Sequence, residues 1–374
     1  MTRGGLFMKR RDFLFTSAAA LAGSPALAAA RKTKHVFLFT SDGVRWQDLF
    51  TGIDPLLMNE KAAGMGNDAE NLRKVLWKPT PEERRAALMP FFWKTLVPRG
   101  VLLGNLNKGS SMQVSNRYQV SYPGYSEILT GREQDDVIKG NDPIRNPTPS
   151  YLQFLKDRFR LRREQVAVFA SWKVFNSIAE NRQGDIYINA GYEVSSLPHD
   201  SARVALLNQL QFEARYIDGN SRHDAFTFEL AMEYLKILQP EHVYISFDES
   251  DDWAHNKRYD QVLQSLQYFD RSLQALWNFI GNSPKYRGNT TLVITSDHGR
   301  GSTLEDWSGH GAKVSGGEQI WAAFIGPDTP ALGELSARPL RRQRDIVPTI
   351  LELLGIEKGA YSGVQGSPIP EALA

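Results

Sequence analysis

The sequence contains no cysteine. This absence excludes disulfide bonds, zinc sites built from thiolates and a cysteine nucleophile. A dominant charge is also lacking, since 44 lysines and arginines stand against 42 acidic residues. Such a balance gives no reason to expect nucleic acid or an anionic membrane as a partner. Beyond the first 30 residues, no run reaches the roughly 18 apolar residues that a membrane helix needs.

The N-terminus has the features of an export signal. A basic stretch with Arg10 and Arg11 precedes a short apolar run that ends in an Ala-x-Ala pattern, so cleavage is expected near Ala29. The paired arginines resemble a twin-arginine signal, which sends folded proteins across a bacterial inner membrane through the twin-arginine export machinery. We therefore expect residues 1–30 to be a signal peptide and the mature protein to be periplasmic, without a membrane span. An uncleaved anchor or a disordered tail is the alternative.

Short apolar runs predict the strands of a buried sheet. They lie at 35–40, 101–106, 165–170, 242–247, 291–295 and 320–325. Runs that are apolar throughout are typical of strands buried on both faces of a parallel sheet. Helical patterns lie between them, most clearly at 259–280. This alternation predicts an α/β fold with helices on both faces of the sheet and ligands at the C-terminal ends of the strands.

Two segments fit the alternation less well. Residues 51–98 and 182–222 are rich in polar residues and turn formers, and we interpret them as insertions over the site rather than separate domains. The tail from Gly355 onward carries glycines and prolines and is expected to form an irregular arm. Residues 31–374 are therefore expected to form one large domain.

The first predicted strand runs into Asp42 and Gly43. A carboxylate just past a buried parallel strand points into the crevice where ligands bind, and a glycine lets the backbone turn close to a metal. Capping of the following helix explains Asp42 equally well when this motif is taken alone.

A helix start is predicted at Ser121. Pro123 suits the first turn of a helix and Gly131 suits its end, so Ser121 would stand at the N-terminus. The free amides and the positive end of the helix dipole favour an alkoxide and a bound phosphate there. Taken alone, the pattern fits a plain capping serine better.

An acidic stretch follows the predicted strand 242–247. Four acidic residues occupy five positions, and they repel one another unless a cation lies among them. Asp251 and His255 are four residues apart, a spacing at which a carboxylate and an imidazole reach one ion. A metal site is the economical interpretation.

The predicted strand 291–295 leads into Asp297, His298 and a glycine, and His310 follows twelve residues later. His255, His298 and His310 all lie in acidic or glycine-rich turns after strands, although the chain has only seven histidines. Chance is a poor explanation for that placement. The other four are interpreted as structural or surface residues: His35, His199, His223 and His242.

Taken in order, these motifs resemble the alkaline-phosphatase superfamily. The quoted set is Asp-Gly at Asp42, Ser-x-Pro at Ser121 with a later Thr-Gly-Arg, Asp-x-x-x-His at Asp251, Asp-His-Gly at Asp297 and His-Gly at His310. The similarity runs from about residue 35 to Thr349. It implies an alkaline-phosphatase-like three-layer sandwich: a mostly parallel central sheet, helices on both faces and insertions over the site.

The resemblance implies two metal sites. Their ligands would be Asp251, His255 and His310 for one ion, and Asp42, Ser121, Asp297 and His298 for the other. In such a pair, one ion lowers the pKa of the nucleophile while the other stabilises the leaving oxygen. Imidazole and carboxylate ligands without thiolate favour zinc, with manganese as the alternative.

Features of several branches are mixed in this chain. Sulfatases carry a formylglycine followed by Pro-x-Arg, and Tyr125 replaces that arginine, which disfavours sulfate hydrolysis. In the nucleotide pyrophosphatase and phosphodiesterase branch, an asparagine about twenty residues after the nucleophile holds a phosphate oxygen. Asn141 stands at that distance from Ser121. The short spacing from His298 to His310 is more similar to that of the cofactor-independent phosphoglycerate mutases. Whether the substrate is a phosphate monoester or a diester therefore stays open.

Two roles in the site each have two candidate residues: Ser121 or Ser126 as the nucleophile, and Asp251 or Asp252 as the metal ligand. Ser126 lies in a Gly-Tyr-Ser-Glu stretch that echoes the mutases, but Ser121 is nine positions before Thr130, where the superfamily places its attacking residue. The superfamily spacing likewise selects Asp251 rather than Asp252 as the metal ligand.

The sequence therefore predicts an exported hydrolase of small-molecule phosphate esters that forms a phosphoenzyme on Ser121. A phosphotransferase or mutase, in which a second hydroxyl receives the phosphoryl group, is the first alternative. A sulfatase and a catalytically idle metal-binding protein are the others.

Overall fold

The computed structural model describes residues 1–2, 31–58, 61–66, 69–196, 201–216 and 219–374. Residues 31–374 belong to one compact unit, and every element described below lies within it. The predicted signal peptide lies almost entirely outside the described residues, so it stays a prediction. Within the described part of the chain, no helix is both long and apolar enough to cross a membrane.

The described residues form eleven strands. They are β1 His35–Ser41, β2 Val101–Leu103, β3 Ser110–Gln113, β4 Val166–Ala170, β5 Tyr187–Ala190, β6 His242–Phe247, β7 Thr290–Thr295, β8 Gln319–Ile320, β9 Ala322–Ile325, β10 Gly333–Glu334 and β11 Arg338–Arg342.

Twelve α-helices lie among the described residues, together with several short 3-10 turns. The helices are α1 Trp46–Thr51, α2 Pro55–Met58, α3 Ala69–Leu76, α4 Pro81–Leu88, α5 Ser121–Thr130, α6 Tyr151–Arg158, α7 Phe175–Ile178, α8 Ala202–Glu213, α9 Asp224–Leu238, α10 Glu249–His255, α11 Tyr259–Asn282 and α12 Ile346–Leu353.

The central sheet has eight strands in the order β10-β2-β9-β7-β1-β6-β4-β5. Strand β1 lies in its middle and pairs in parallel with β6 and β7. Strands β4 and β5 continue the parallel arrangement, whereas β9 runs antiparallel to both β7 and β2. The prediction of a mostly parallel sheet is confirmed. A smaller sheet has the order β11-β3-β8.

Both faces of the central sheet are covered by helices. Side chains alternate along a strand, so Phe37 and Phe39 of β1 enter one buried cluster while Val36 and Leu38 enter another. Helices α4, α9 and α11 contribute to the first cluster, and α5, α6 and α12 contribute to the second. The predicted α/β fold with three layers is therefore confirmed.

Two strand predictions need correction. The apolar run 320–325 is not one strand, because the chain passes from β8 in the small sheet to β9 in the central sheet at the buried Trp321. The run 101–106 ends as a strand at Leu103, since Gly104 adopts a positive φ of 113° and a 3-10 turn follows. The strands predicted at 35–40, 242–247 and 291–295 are confirmed.

Strand β5 lies inside segment 182–222, which the sequence suggested as an insertion. It pairs in parallel with β4 at the edge of the central sheet. That part of the segment therefore continues the sheet rather than interrupting it.

Helix α5 packs unusually close to the end of β7. A Cβ atom on Gly124 would lie 2.4 Å from the Asp297 carbonyl oxygen and 3.2 Å from the Asp297 Cβ. Only glycine lets the helix backbone approach this turn so closely. The approach sets the distance between the start of α5 and the end of the strand.

Gly124→Ala should lower the free energy of unfolding by about 1–3 kcal/mol, because the added methyl group overpacks the contact with Asp297. Gly281→Ala is the matched control, since Gly281 lies in α11 and a Cβ atom there meets nothing within 4 Å. The control should be neutral or slightly stabilising. Chemical denaturation of both variants measures the difference, and equal stability would contradict the close packing.

Candidate metal centre and nucleophile

Three neighbouring strands end level at the site. Ser41 is paired with Phe247, and Thr40 is paired with Thr295. The residues that follow therefore emerge side by side at the C-terminal edge of the sheet, where ligands bind in such folds. Asp42 continues β1, Asp297 and His298 follow β7, and β6 leads into α10.

The inner cluster consists of Asp42, Asp297 and His298, all of them buried. His298 Nε2 lies 3.3 Å from Asp42 Oδ1 and 3.5 Å from Asp297 Oδ2. Gly43 makes the turn beside them with a φ of 57°, and its amide donates to Asp297 Oδ1 at 3.0 Å. A side chain at Gly43 would collide with Asp251 Oδ1 at 2.7 Å, so the turn requires glycine.

The outer cluster consists of Asp251, His255 and His310. His255 Nε2 lies 3.1 Å from Asp251 Oδ2 and 3.0 Å from His310 Nε2. The His255 side chain is 49% exposed, whereas that of His310 is 9% exposed. The outer cluster therefore opens toward solvent.

The two clusters adjoin through His298. Its ring stacks on that of His310 with 3.9 Å between centroids and 12° between planes. Its Nε2 also lies 3.6 Å from Asp251 Oδ1. The structure thus brings together the six histidine and aspartate ligands predicted from the sequence.

The donor atoms of these clusters fit divalent metals. Asp42 Oδ1 and Asp297 Oδ2 are buried and have no hydrogen-bond partner within the described part of the chain. The Nδ1 atoms of His298 and His310 lie 3.0 and 3.1 Å from the carbonyl oxygens of Gly299 and Gln119. Donation from Nδ1 to those oxygens turns each Nε2 toward its cluster, the arrangement that orients histidine ligands.

The clusters differ in how they hold protons. Burial and then Asp42 raise the pKa of Asp297 to about 8. Burial alone would lower the pKa of His298, but Asp297 and Asp42 raise it to about 9. Burial and then His298 lower the pKa of both His255 and His310. A metal must therefore displace a proton from the inner cluster at neutral pH, whereas the outer imidazoles are already neutral.

Ser121 is the first residue of α5 and is buried. Its Oγ lies 3.4 Å from His298 Nε2, so the hydroxyl reaches the inner cluster. Asn141 lies beside it, because its Oδ1 accepts the Tyr122 amide at 2.9 Å. That amide is therefore occupied and Pro123 has no N–H, so fewer amides are free at this helix end than the sequence suggested. The helix dipole remains.

Ser126 lies in the interior of α5 and is buried. Its Oγ accepts from Gln134 Nε2 at 2.6 Å and lies 3.4 Å from Asn146 Nδ2. These contacts hold the hydroxyl in a polar network of the helix flank. Ser121, rather than Ser126, is therefore the serine beside the two clusters.

Two residues that contact the ligands were not expected in that role. Tyr125, seen in the sequence only as the replacement of a sulfatase arginine, donates its hydroxyl to Asp42 Oδ2 at 2.9 Å. Burial, then Asp297 and Asp42, raise the Tyr125 pKa well above its usual value, so the hydroxyl stays protonated. Arg300 donates to the Asp251 carboxylate. Its position directly after Asp-His-Gly was the available signal.

The histidines interpreted as structural lie away from the clusters where the structure describes them. His35 and His242 begin β1 and β6, at the opposite end of the sheet. His223 lies 3.0 Å from Glu249 through its Nδ1. His199 lies outside the described residues.

Fold and site together are similar to those of the alkaline-phosphatase superfamily. Within it, the family model of type I phosphodiesterases and nucleotide pyrophosphatases matches residues 83–312, more than half of the chain, and the chain belongs to that family. No curated protein matches it significantly. Membership of this family supports a phosphoester hydrolase activity.

Similar solved structures share the fold at low sequence identity. The lipoteichoic acid synthase LtaP from Listeria monocytogenes has a TM-score of 0.54 and 11% identity, over 89% of this chain and 74% of that one. The phosphonate monoester hydrolase of Agrobacterium radiobacter has a TM-score of 0.52 and 14% identity, over 91% of this chain and 77% of that one. The alkaline phosphatase PafA has a TM-score of 0.53 and 11% identity, over 93% of this chain and 100% of that one.

Asp251→Asn should reduce the metal content of the purified protein, because it removes the only carboxylate of the outer cluster. Asp252→Asn is the matched control, since the same charge is lost one residue further along α10. It should change metal content much less. Elemental analysis of both variants measures the effect, and the opposite order would show that the ligand assignment is wrong by one residue.

Proposed function

We propose that this protein hydrolyses phosphate esters, with phosphodiesters preferred, by nucleophilic attack of the Ser121 hydroxyl. The proposal depends above all on one observation: Ser121 Oγ lies 3.4 Å from His298 Nε2, next to the residue where the two clusters adjoin. The match to the type I phosphodiesterase and nucleotide pyrophosphatase family supports the choice of a diester.

Two divalent ions, zinc or alternatively manganese, are the cofactors we propose. Asp42, Asp297, His298 and Ser121 would hold one, and Asp251, His255 and His310 the other. When bound, such ions supply Lewis-acid stabilisation of charge and lower the pKa of the serine hydroxyl. Asp42 Oδ1 and Asp297 Oδ2 accept no hydrogen bond among the described residues and both face His298 Nε2, which supports this assignment because buried charged oxygens need a compensating partner.

In the proposed reaction, Ser121 Oγ loses its proton to solvent and attacks phosphorus. The new bond from Oγ to phosphorus forms as the bond to the leaving oxygen breaks, and the leaving alkoxide takes a proton from water. Water then cleaves the phosphoserine and regenerates the hydroxyl. The positive end of the α5 dipole favours the serine alkoxide.

Neighbouring side chains have separate tasks in this proposal. Tyr125 holds Asp42 through the hydrogen bond to Oδ2, which leaves Oδ1 for a metal. Asn141 is exposed, and its carbonyl oxygen is anchored by the Tyr122 amide. Its amide group is then available to donate to a phosphate oxygen. A sulfatase reaction is disfavoured, because Tyr125 replaces the arginine of sulfatases.

Export as a folded protein is part of the proposal, with residues 31–374 as the catalytic domain. Folding before export would let the protein acquire its metals in the cytoplasm. Replacing both Arg10 and Arg11 by lysine should then abolish delivery to the periplasm, measured by cell fractionation. Unchanged delivery of the double variant would remove the twin-arginine route.

Ser121→Ala should lower phosphodiesterase turnover by about a thousandfold or more, because the covalent nucleophile is lost. Ser126→Ala should cost little beyond stability, since it removes hydrogen bonds of the helix flank only. Both are assayed with bis(4-nitrophenyl) phosphate at saturating zinc or manganese, beside the corresponding monoester and sulfate ester.

Turnover that survives in Ser121→Ala and vanishes in Ser126→Ala, with metal content unchanged in both, would reverse the assignment. Faster hydrolysis of the sulfate ester than of either phosphate ester by the unaltered protein would overturn the proposed substrate class.

A further inference from the structure

Arg300 is buried, with 1% of its surface exposed, and its guanidinium contacts three separate segments. Nε donates to the Gly43 carbonyl oxygen at 3.1 Å, and Nη1 donates to the Ser308 carbonyl oxygen at 2.5 Å. Nη2 donates to the Asp251 carbonyl oxygen at 3.2 Å and also to Asp251 Oδ1. Every nitrogen of the group is therefore used.

Each of these segments carries metal-binding candidates. Gly43 directly follows Asp42 of the inner cluster, Asp251 belongs to the outer cluster, and Ser308 lies two residues before His310. One planar group thus joins the turn after β1, helix α10 and the loop that holds His310. A guanidinium offers five donors in a rigid fork, whereas an ammonium offers a compact point charge. Lysine at position 300 could not maintain all of these contacts.

The contact with Asp251 also selects which of its oxygens is free. Arg300 occupies Oδ1, while Oδ2 lies 3.1 Å from His255 Nε2. His310 Nε2 is 3.9 Å from Oδ1. The carboxylate is thereby oriented with Oδ2 toward His255, while Oδ1 faces Arg300 and the His310 ring.

We propose that Arg300 is a positioning residue that assembles the outer cluster by fixing the Asp251 carboxylate and the loop of His310. This inference depends on the proposed function, because it assumes that Asp251, His255 and His310 bind a metal. Arg300 itself touches neither substrate nor metal in this role. Groups that orient metal ligands typically change metal affinity by about 10- to 100-fold when they are removed.

The experiment measures zinc binding by Arg300→Lys and Arg300→Gln, with zinc stoichiometry and dissociation constants determined on the purified full-length proteins. Arg222→Lys is the matched control, because Arg222 is also fully buried but hydrogen bonds to Asn189, Gln211 and Thr227. Its replacement should destabilise the fold to a similar degree as replacement of Arg300, but without touching the two clusters. Circular dichroism monitors the fold of each variant.

Both Arg300 variants should bind one zinc ion with nearly unchanged affinity and the second at least tenfold more weakly. Arg222→Lys should keep both. If Arg300→Gln bound the second zinc ion more weakly while Arg300→Lys bound it with unchanged affinity, only the positive charge would matter. That result would overturn the positioning role. Two zinc ions bound with unchanged affinity in folded Arg300 variants would also overturn it.

A second measurement applies if the variants do not fold. In a crystal structure of the unaltered protein grown with zinc, Arg300 should still donate to Asp251 and to the Ser308 carbonyl. A guanidinium displaced from the carboxylate would contradict the inference. Absence of zinc from the unaltered protein would instead contradict the proposed function, so the two failures are distinguishable.

Discussion

The site depends on the convergence of buried carboxylates at the ends of three adjacent strands. Asp42 and Asp297 lie against one another and against His298 with two oxygens unpartnered among the described residues. Two unit charges about 4 Å apart repel by about 4 kcal/mol at an effective dielectric constant of 20. That cost is tolerable only if a proton or a cation sits between them. The raised pKa values of Asp297 and His298 show the first solution, and a metal would be the second.

The sheet and helix α5 place Ser121, the proposed nucleophile, beside this charged centre. The parallel pairing of β1 with β6 and β7 fixes the positions of the candidate ligands, while the close packing of Gly124 on Asp297 fixes the start of α5. The short side chain of Ser121 is therefore long enough for its hydroxyl to reach the inner cluster. Tyr125, one turn along the same helix, holds Asp42. Helix α5 thus provides both the hydroxyl and the orientation of a ligand.

Most of the fold, and the residues that converge into the two clusters, could be predicted because burial and polar chemistry are visible in the local sequence. An apolar run that breaks at Asp42 predicts both a strand and its functional end. Other features depend on tertiary contacts. The chain passes from one sheet to the other at Trp321, an apolar residue, so the sequence gives no sign that the strand ends there. Asn189 makes strand β5 look like a polar, exposed segment, but its side chain is buried and accepts a hydrogen bond from Arg222. The contacts of Arg300 are carbonyl groups that only the folded chain brings together.

The central claim is that the two adjoining clusters are a pair of metal sites. Anomalous diffraction at the zinc edge, from crystals of the protein grown with zinc, tests it directly. The account predicts two peaks, one among Asp42, Asp297 and His298 and one among Asp251, His255 and His310. A single peak, or zinc bound away from both clusters, would contradict it.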